Sequence, residues 1–321
     1  MLAAVFVIVG LQLSQADCDA FLRRTLPACD LIPAYSSILE ENTLLALEVR
    51  DSVPWGPSIP DSIFLRYVLP PRVSQEPLVS WRGLLAAEAV PMALAAGDLE
   101  GAALRIDSWI DSLTVWRMTQ RRDQSPLVTL RSGIGRCEEL TILNMDALRS
   151  ACIPCRQVYA PWWSDTDGNH AWLEVWTPEG WKCVDAATTQ DSLGSGWFTA
   201  NAARTGIVVA ISPDSVPGAL AWRGGVSMLD VTPSYGETGL LRISDDSSDV
   251  AVCIVNYGAI RPLFVLRPPV RQAEVGEGVY LLTWGWPLRS LQVSVTAGDT
   301  VRVDTQASTP AEGSLLMNYE R

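Results

Sequence analysis

The chain has 321 residues, 48% of them apolar and 19% charged, so it can build more than one hydrophobic core and lacks the composition of a disordered polymer. Its formal charge of −12, with no cluster of Lys or Arg, argues against a nucleic-acid partner, because binding to a phosphate backbone draws on concentrated positive charge.

In chain order, "MLAAVFVIVGLQLSQADC" is an apolar run ending in Ser14-Gln15-Ala16, with small residues at the two positions a signal peptidase reads. The expectation is a signal peptide over residues 1–16 and a secreted or periplasmic protein. Two features pull the other way: no Lys or Arg precedes the run, and about 13 apolar residues also suit a buried helix. The run is shorter than the roughly 20 residues of a membrane anchor, and Asp17 before Cys18 is unlike a lipid-attachment box, so no stable membrane span is expected. Seven cysteines, at 18, 29, 137, 152, 155, 183 and 253, suit an oxidising compartment, and the odd number leaves one thiol over.

Residues 17–120 read as a helical N-terminal region. "ENTLLALEV" opens on polar cap formers, and after Asp98 apolar residues recur at Leu99, Ala103, Ile106, Ile110 and Leu113. Between them, prolines 54, 57, 60, 70 and 71 disfavour a long helix and predict a stiff, packed, irregular arm. A second region, 121–230, begins with another helix after Gly135, carrying Leu140, Leu143, Ala147, Leu148 and Ala151 at helical spacing until Pro154. The period then changes to two. "CRQVYAPWW", "NHAWLEVW" and "GWKCVDAA" are strand-like, and Thr177-Pro178-Glu179-Gly180 has the composition of a hairpin turn. From 231 to 306, runs such as "VAVCIVNY", "GVYLLTW" and "LQVSVTAGDTVRV" predict a small β-sandwich, and residues 307–321 form a tail without a clear pattern.

The stretch "SGIGRCEELT" spends two glycines just before a cysteine that opens a helix. Glycine allows close approach and a sharp turn, and a helix N-terminus turns N–H groups and positive dipole toward the sulfur, so Cys137 looks like a mounted nucleophile. Glu138 and Glu139 suit the first helical turn but would oppose a thiolate if aimed at it, so they must face elsewhere or be paired. The local sequence fits an ordinary buried cysteine as well. The chain has one histidine, His170, so it is the one imidazole available as a base. Asp185 follows across the hairpin turn, where strand pairing can set it beside His170 as an orienting carboxylate.

Together, "GRCEELTILNMDALRSACIPCRQVYAPWW" and "DGNHAWLEVWTPEGWKCVDAAT", spanning about Leu127 to Thr189, resemble the core of the transglutaminase-like superfamily, with Cys137, His170 and Asp185 at its triad positions. The flanks resemble those of secreted bacterial proteins with a helical lead and a β-sandwich tail. The resemblance implies an α+β fold: a papain-like, transglutaminase-like core with its Cys-bearing helix packed on an antiparallel sheet, preceded by a helical region and followed by an all-β, Ig-like sandwich. It implies acyl transfer or hydrolysis at peptide or side-chain amide bonds through a thioester, with a peptide or protein substrate and no cofactor or metal. The backbone N–H of Cys137 is the candidate oxyanion donor. A catalytically inactive binding or assembly module is the other open possibility.

Where family members commonly carry Gly and a small residue, this chain has Cys152 and Cys155. "CIPC" follows a helix instead of opening one, which disfavours a redox pair, and zinc would want further ligands; a disulfide or buried thiols are expected, with pairing among the cysteines other than Cys137. Tryptophans 162, 163, 172, 176 and 181 crowd the hairpin region, with core packing or a ligand platform as their alternative roles. Strand alternation places Trp172 and Trp176 on the face of His170.

Overall fold

A computed structural model describes residues 13–306, apart from 121, 224 and 246–247 and the side chain of Arg223. Most of the expected signal peptide, through residue 12, and all of the expected tail from 307 lie outside the described residues. The chain forms two compact units. One comprises the chain up to Arg156 together with Leu173–Leu193, and the other comprises Gln157–Trp172 together with the chain from Gly194.

The first unit is mainly helical, with α1 (Gln15–Thr25), α2 (Ser36–Ser52), α3 (Asp61–Tyr67), α4 (Arg82–Ala96), α5 (Leu99–Leu113), α6 (Pro126–Ser132) and α7 (Cys137–Ser150). Ser14 caps α1 by accepting from Asp17 N, and Asp98 caps α5 by accepting from Gly101 N at 2.8 Å, each satisfying a donor the helix itself leaves open. The predicted apolar stripe of α5 is buried at Ala103, Ile106 and Ile110. The proline-rich arm is packed as expected, but it contains α3, a seven-residue helix that the surrounding prolines obscured. Buried Arg82 and Arg149 hold this arm: Arg82 donates to the carbonyls of Val68 and Leu69, and Arg149 to those of Tyr67, Pro70 and Arg72.

Helix α7 lies at the centre of this unit, with every residue from Glu139 to Ser150 buried. Its Leu140, Leu143 and Leu148 share one hydrophobic cluster with Leu85 and Ala89 of α4, Ile106 and Ile110 of α5, and Leu173, Val175 and Val184 of two strands. These strands are β4 (His170–Thr177) and β5 (Gly180–Val184), which follow β1 (Val115–Trp116), β2 (Ile134–Gly135) and β3 (Cys155–Ala160). β4 and β5 pair antiparallel from Leu173↔Val184 to Thr177↔Gly180 around the predicted turn. The helix on an antiparallel sheet and the leading helices agree with the α+β expectation.

The second unit holds the later part of β3, the start of β4, the short α8 (Thr199–Ala202), and β6 (Val209–Pro213), β7 (Ala221–Arg223) and β8 (Val226–Asp230). β6 pairs antiparallel with both β3 and β8, and β8 with β7. Farther on, β9 (Thr238–Ile243), β12 (Gln272–Gly276) and β15 (Thr300–Val303) form one sheet in the order β12-β9-β15, its last pair parallel. β10 (Val250–Asn256), β11 (Ala259–Leu266), β13 (Gly278–Trp284) and β14 (Arg289–Val295) form an antiparallel sheet in the order β11-β10-β13-β14. Leu241 and Val275 of the first sheet and Val252, Leu282 and Val293 of the second belong to one core. The C-terminal strands expected from alternation are therefore present as two sheets.

Candidate active site

The two glycines ahead of Cys137 have separate jobs. Gly133 ends α6 in the left-handed region at φ 66°, its N–H bonded to the Thr129 carbonyl at 2.9 Å. Gly135 lies in β2, pairs with Trp116 of β1, and sits where a Cβ would meet Leu140 Cδ2, Glu139 Cβ and Thr129 Cγ2 at 3.1 to 3.2 Å. One glycine makes the turn; the other allows the close packing that brings the chain to the start of α7.

Cys137 is the first residue of α7 and is partly exposed. Glu139, fully buried two residues on, is turned away from the sulfur. Its carboxylate accepts from Arg136 N at 2.9 Å, Thr119 Oγ1 at 2.6 Å and Gln124 N at 3.1 Å, while Arg136 also pairs with Asp123 at 2.7 Å. This network fixes the N-terminal turn of the helix. Glu138 does the opposite: its Oε2 lies 3.3 Å from Cys137 Sγ and accepts the thiol hydrogen. A carboxylate at that distance favours the protonated thiol, against the helix dipole.

Asp185 directly follows β5 in the same unit and is fully buried; Thr188 Oγ1 donates to its Oδ2 at 2.7 Å. Behind it, α5 brings Asp107 and Asp111 to the same region. Thr189 Oγ1 donates to Asp111 Oδ2 at 3.1 Å, and burial, with the charge of Asp185 adding to it, pushes the Asp111 carboxyl up to about 6.

His170 opens β4 in the second unit and is buried among aromatic rings. It stacks on Trp172 with centroids 5.9 Å apart, as the alternation predicted, and meets Trp197 at 4.8 Å and Phe198 at 5.3 Å. Trp172 is pinned in turn by its indole N–H, which donates to Tyr235 Oη at 2.7 Å. Cys137 and Asp185 thus belong to one unit and His170 to the other. Trp197 and Phe198, in "GWFTANAAR", went unassigned in the sequence; an aromatic pair after a turn-rich segment was their only signal. Trp197 is largely exposed, so the imidazole has a hydrophobic neighbour open to solvent.

The seven cysteines are all free, so the expected pairing is absent; five of them are buried in packed positions. Cys155 Sγ donates to the Met145 carbonyl at 3.5 Å, and the Cys152 carbonyl accepts from Trp55 Nε1 at 3.0 Å. Burial pushes both thiols up to about 12, which keeps them protonated at neutral pH and unsuited to redox exchange. Among the described residues no cluster of His, Cys, Asp and Glu could hold a metal ion, and no helix is long and apolar enough to cross a membrane.

Residues 89–186 match the transglutaminase-like superfamily core. No curated protein matches the chain. Among solved structures, a candidate cysteine protease from Cytophaga hutchinsonii is similar at 18% identity and a TM-score of 0.33, over 55% of this chain and 65% of that one, so this chain spans just under two thirds of that protein. LapG from Legionella pneumophila is similar at 15% identity and a TM-score of 0.27, over 46% of this chain and 74% of that one.

Proposed function

We propose, from the premise that residues 89–186 form a transglutaminase-like superfamily domain, that the protein is a cysteine enzyme acting on peptide or side-chain amide bonds. The finer architecture taken with this is a papain-like core followed by an Ig-like sandwich, in a protein exported by its N-terminal apolar run. The observation that carries the function is the mount of Cys137: a partly exposed thiol at the first turn of a buried helix, with the adjacent Glu139 carboxylate fully committed to its own network.

In the proposed reaction His170 takes the thiol proton, Cys137 Sγ bonds to the amide carbonyl carbon, and the C–N bond breaks as His170 returns the proton to the departing amine. Asp185 holds the imidazole in the tautomer this requires. A second nucleophile then attacks the thioester, its proton passes through His170 to the leaving thiolate, and the C–S bond breaks. We favour water in that step, since it needs no binding site of its own; an amine would make the product a cross-link.

Alkylation of Cys137 with iodoacetamide across pH tests the proposal. Reaction should persist well below the roughly pH 8.5 at which an ordinary thiol ionises, and His170→Ala should abolish that advantage. Ordinary thiol behaviour in both proteins would favour the second reading, an inactive binding module, to which the Glu138 contact with Sγ lends support.

A further inference from the structure

Asp107 and Asn144 face one another between α5 and α7, both fully buried. Asn144 Nδ2 donates to Asp107 Oδ1 at 2.6 Å. The other oxygen of each side chain, Asp107 Oδ2 and Asn144 Oδ1, is buried without a partner. An ionised carboxylate in this setting would be costly, because among the described residues no cation answers it. On α5 the neighbouring charge is Asp111, one turn on, and beyond β5 it is Asp185; both are acidic. From α7 the facing group is the neutral Asn144. On α4, Glu88 is exposed, and Arg82 is engaged by Asn42 and by the carbonyls of Val68, Leu69 and Arg149. Lys182 on β5 is paired with Glu100 at the far end of α5.

A single proton shared between these two oxygens would satisfy both. A carboxylic acid and a primary amide set edge to edge exchange two hydrogen bonds, the amide N–H to one acid oxygen and the acid O–H to the amide oxygen. We propose that Asp107 is a neutral carboxylic acid in the folded protein, and that its proton closes a reciprocal pair with Asn144. Burial, reinforced by Asp111, raises the Asp107 carboxyl well above the ordinary carboxylate range, in keeping with this. Resting on the assignment of Cys137 and Asp185 to the active site, Asp107 is then a positioning residue. It ties α5 to the helix that carries the nucleophile, and by staying neutral it withholds a second buried charge from Asp185.

Infrared difference spectroscopy of the folded protein at pH 7, wild type minus Asp107→Asn, tests the proton directly. The carbonyl band of a protonated carboxylic acid should appear in the wild type and be lost in the variant; no such band overturns the proposal. Stability supplies the sign. Asn in place of Asp keeps two reciprocal hydrogen bonds and carries no charge to bury. Its folding equilibrium should therefore gain on the wild type by up to about tenfold per pH unit from pH ~4 upward, through the raised titration of Asp107. A variant that loses ground as pH rises overturns the proposal as well. Should Asp107→Asn fail to fold, Asn144→Ala must shift the acid band without abolishing it, and an unmoved band is again fatal. Asp107→Ala should slow alkylation of Cys137, with Asp107→Asn restoring it. Ordinary thiol chemistry at Cys137 counts against the enzyme, whereas a missing acid band counts against the proton, so the two failures are distinct.

Discussion

At the level of single residues, Cys137 stands between opposing influences. The helix N-terminus favours a thiolate, worth about 0.3–1 kcal/mol in exposed settings, while the Glu138 carboxylate 3.3 Å from the sulfur works against it. The carboxylate charge and the helix dipole thus act on the sulfur with opposite sign, and removing the charge leaves the dipole unopposed. Glu138→Gln should therefore make alkylation of Cys137 at pH 7 about threefold to tenfold faster. An unchanged rate would mean that the carboxylate turns away from the sulfur in solution. Glu139→Gln provides the contrast. That side chain serves Arg136, Thr119 and Gln124 from a fully buried position, so its loss should appear as destabilisation, on the order of 3 kcal/mol, rather than as faster alkylation. The sequence showed that both acids had to be faced away or paired, and the answer differs between them. Only the fold could assign one to a network and the other to the sulfur, because the choice depends on Thr119 and Asp123 arriving from an earlier segment.

At the level of elements, the end of α7 explains why cysteine in place of glycine is tolerated after the helix. Cys152 N–H bonds the Arg149 carbonyl and Ile153 N–H bonds the Leu148 carbonyl, the two bonds of a Schellman cap, with Cys152 in the left-handed region at φ 56°. A Cβ there costs roughly 1 kcal/mol, offset by burial of the thiol side chain. Cys152→Gly should stay within about 1 kcal/mol of the wild type, whereas Cys152→Val, β-branched at positive φ, should lose more than about 2 kcal/mol. Equal urea midpoints for the two variants would sink this account of the cap. The helices α5 and α7, the β4–β5 hairpin with its turn, and the C-terminal strands were legible because their apolar period and punctuating residues agree. Helix α3 was not, since prolines on both sides outweigh a seven-residue pattern. The β7–β8 hairpin was missed although Gly225, at φ 88°, stands directly ahead of β8. Least visible was the polar interior of α7: periodicity identifies apolar positions, but says nothing of an Asn144 or Asp146 that is buried on another side of the same helix.

At the level of the whole molecule, an acidic chain has placed several carboxyls in buried or half-buried positions. Asp30, Glu76, Asp107, Asp111, Asp123, Asp146 and Asp230 are each raised, with burial the largest cause in every case. A group whose folded pKa lies above its unfolded value binds a proton in the folded state that the unfolded chain has released. Its contribution to stability is fully present below the unfolded value near 4 and is lost as pH rises through the folded value, at up to about 1.4 kcal/mol per pH unit for each group. For Asp111 that window runs from about 4 to about 6. With seven groups of the same sign, and a net charge of −12 that adds self-repulsion in the compact state once the acids ionise, the urea midpoint should fall steadily from pH 5 to pH 8. Asp111→Asn should flatten the part of that decline below pH 6 and leave the rest. A midpoint that rises with pH over this range would mean that the buried acids are ionised and paired in the folded protein, and the reciprocal acid–amide contact between α5 and α7 would fall with them.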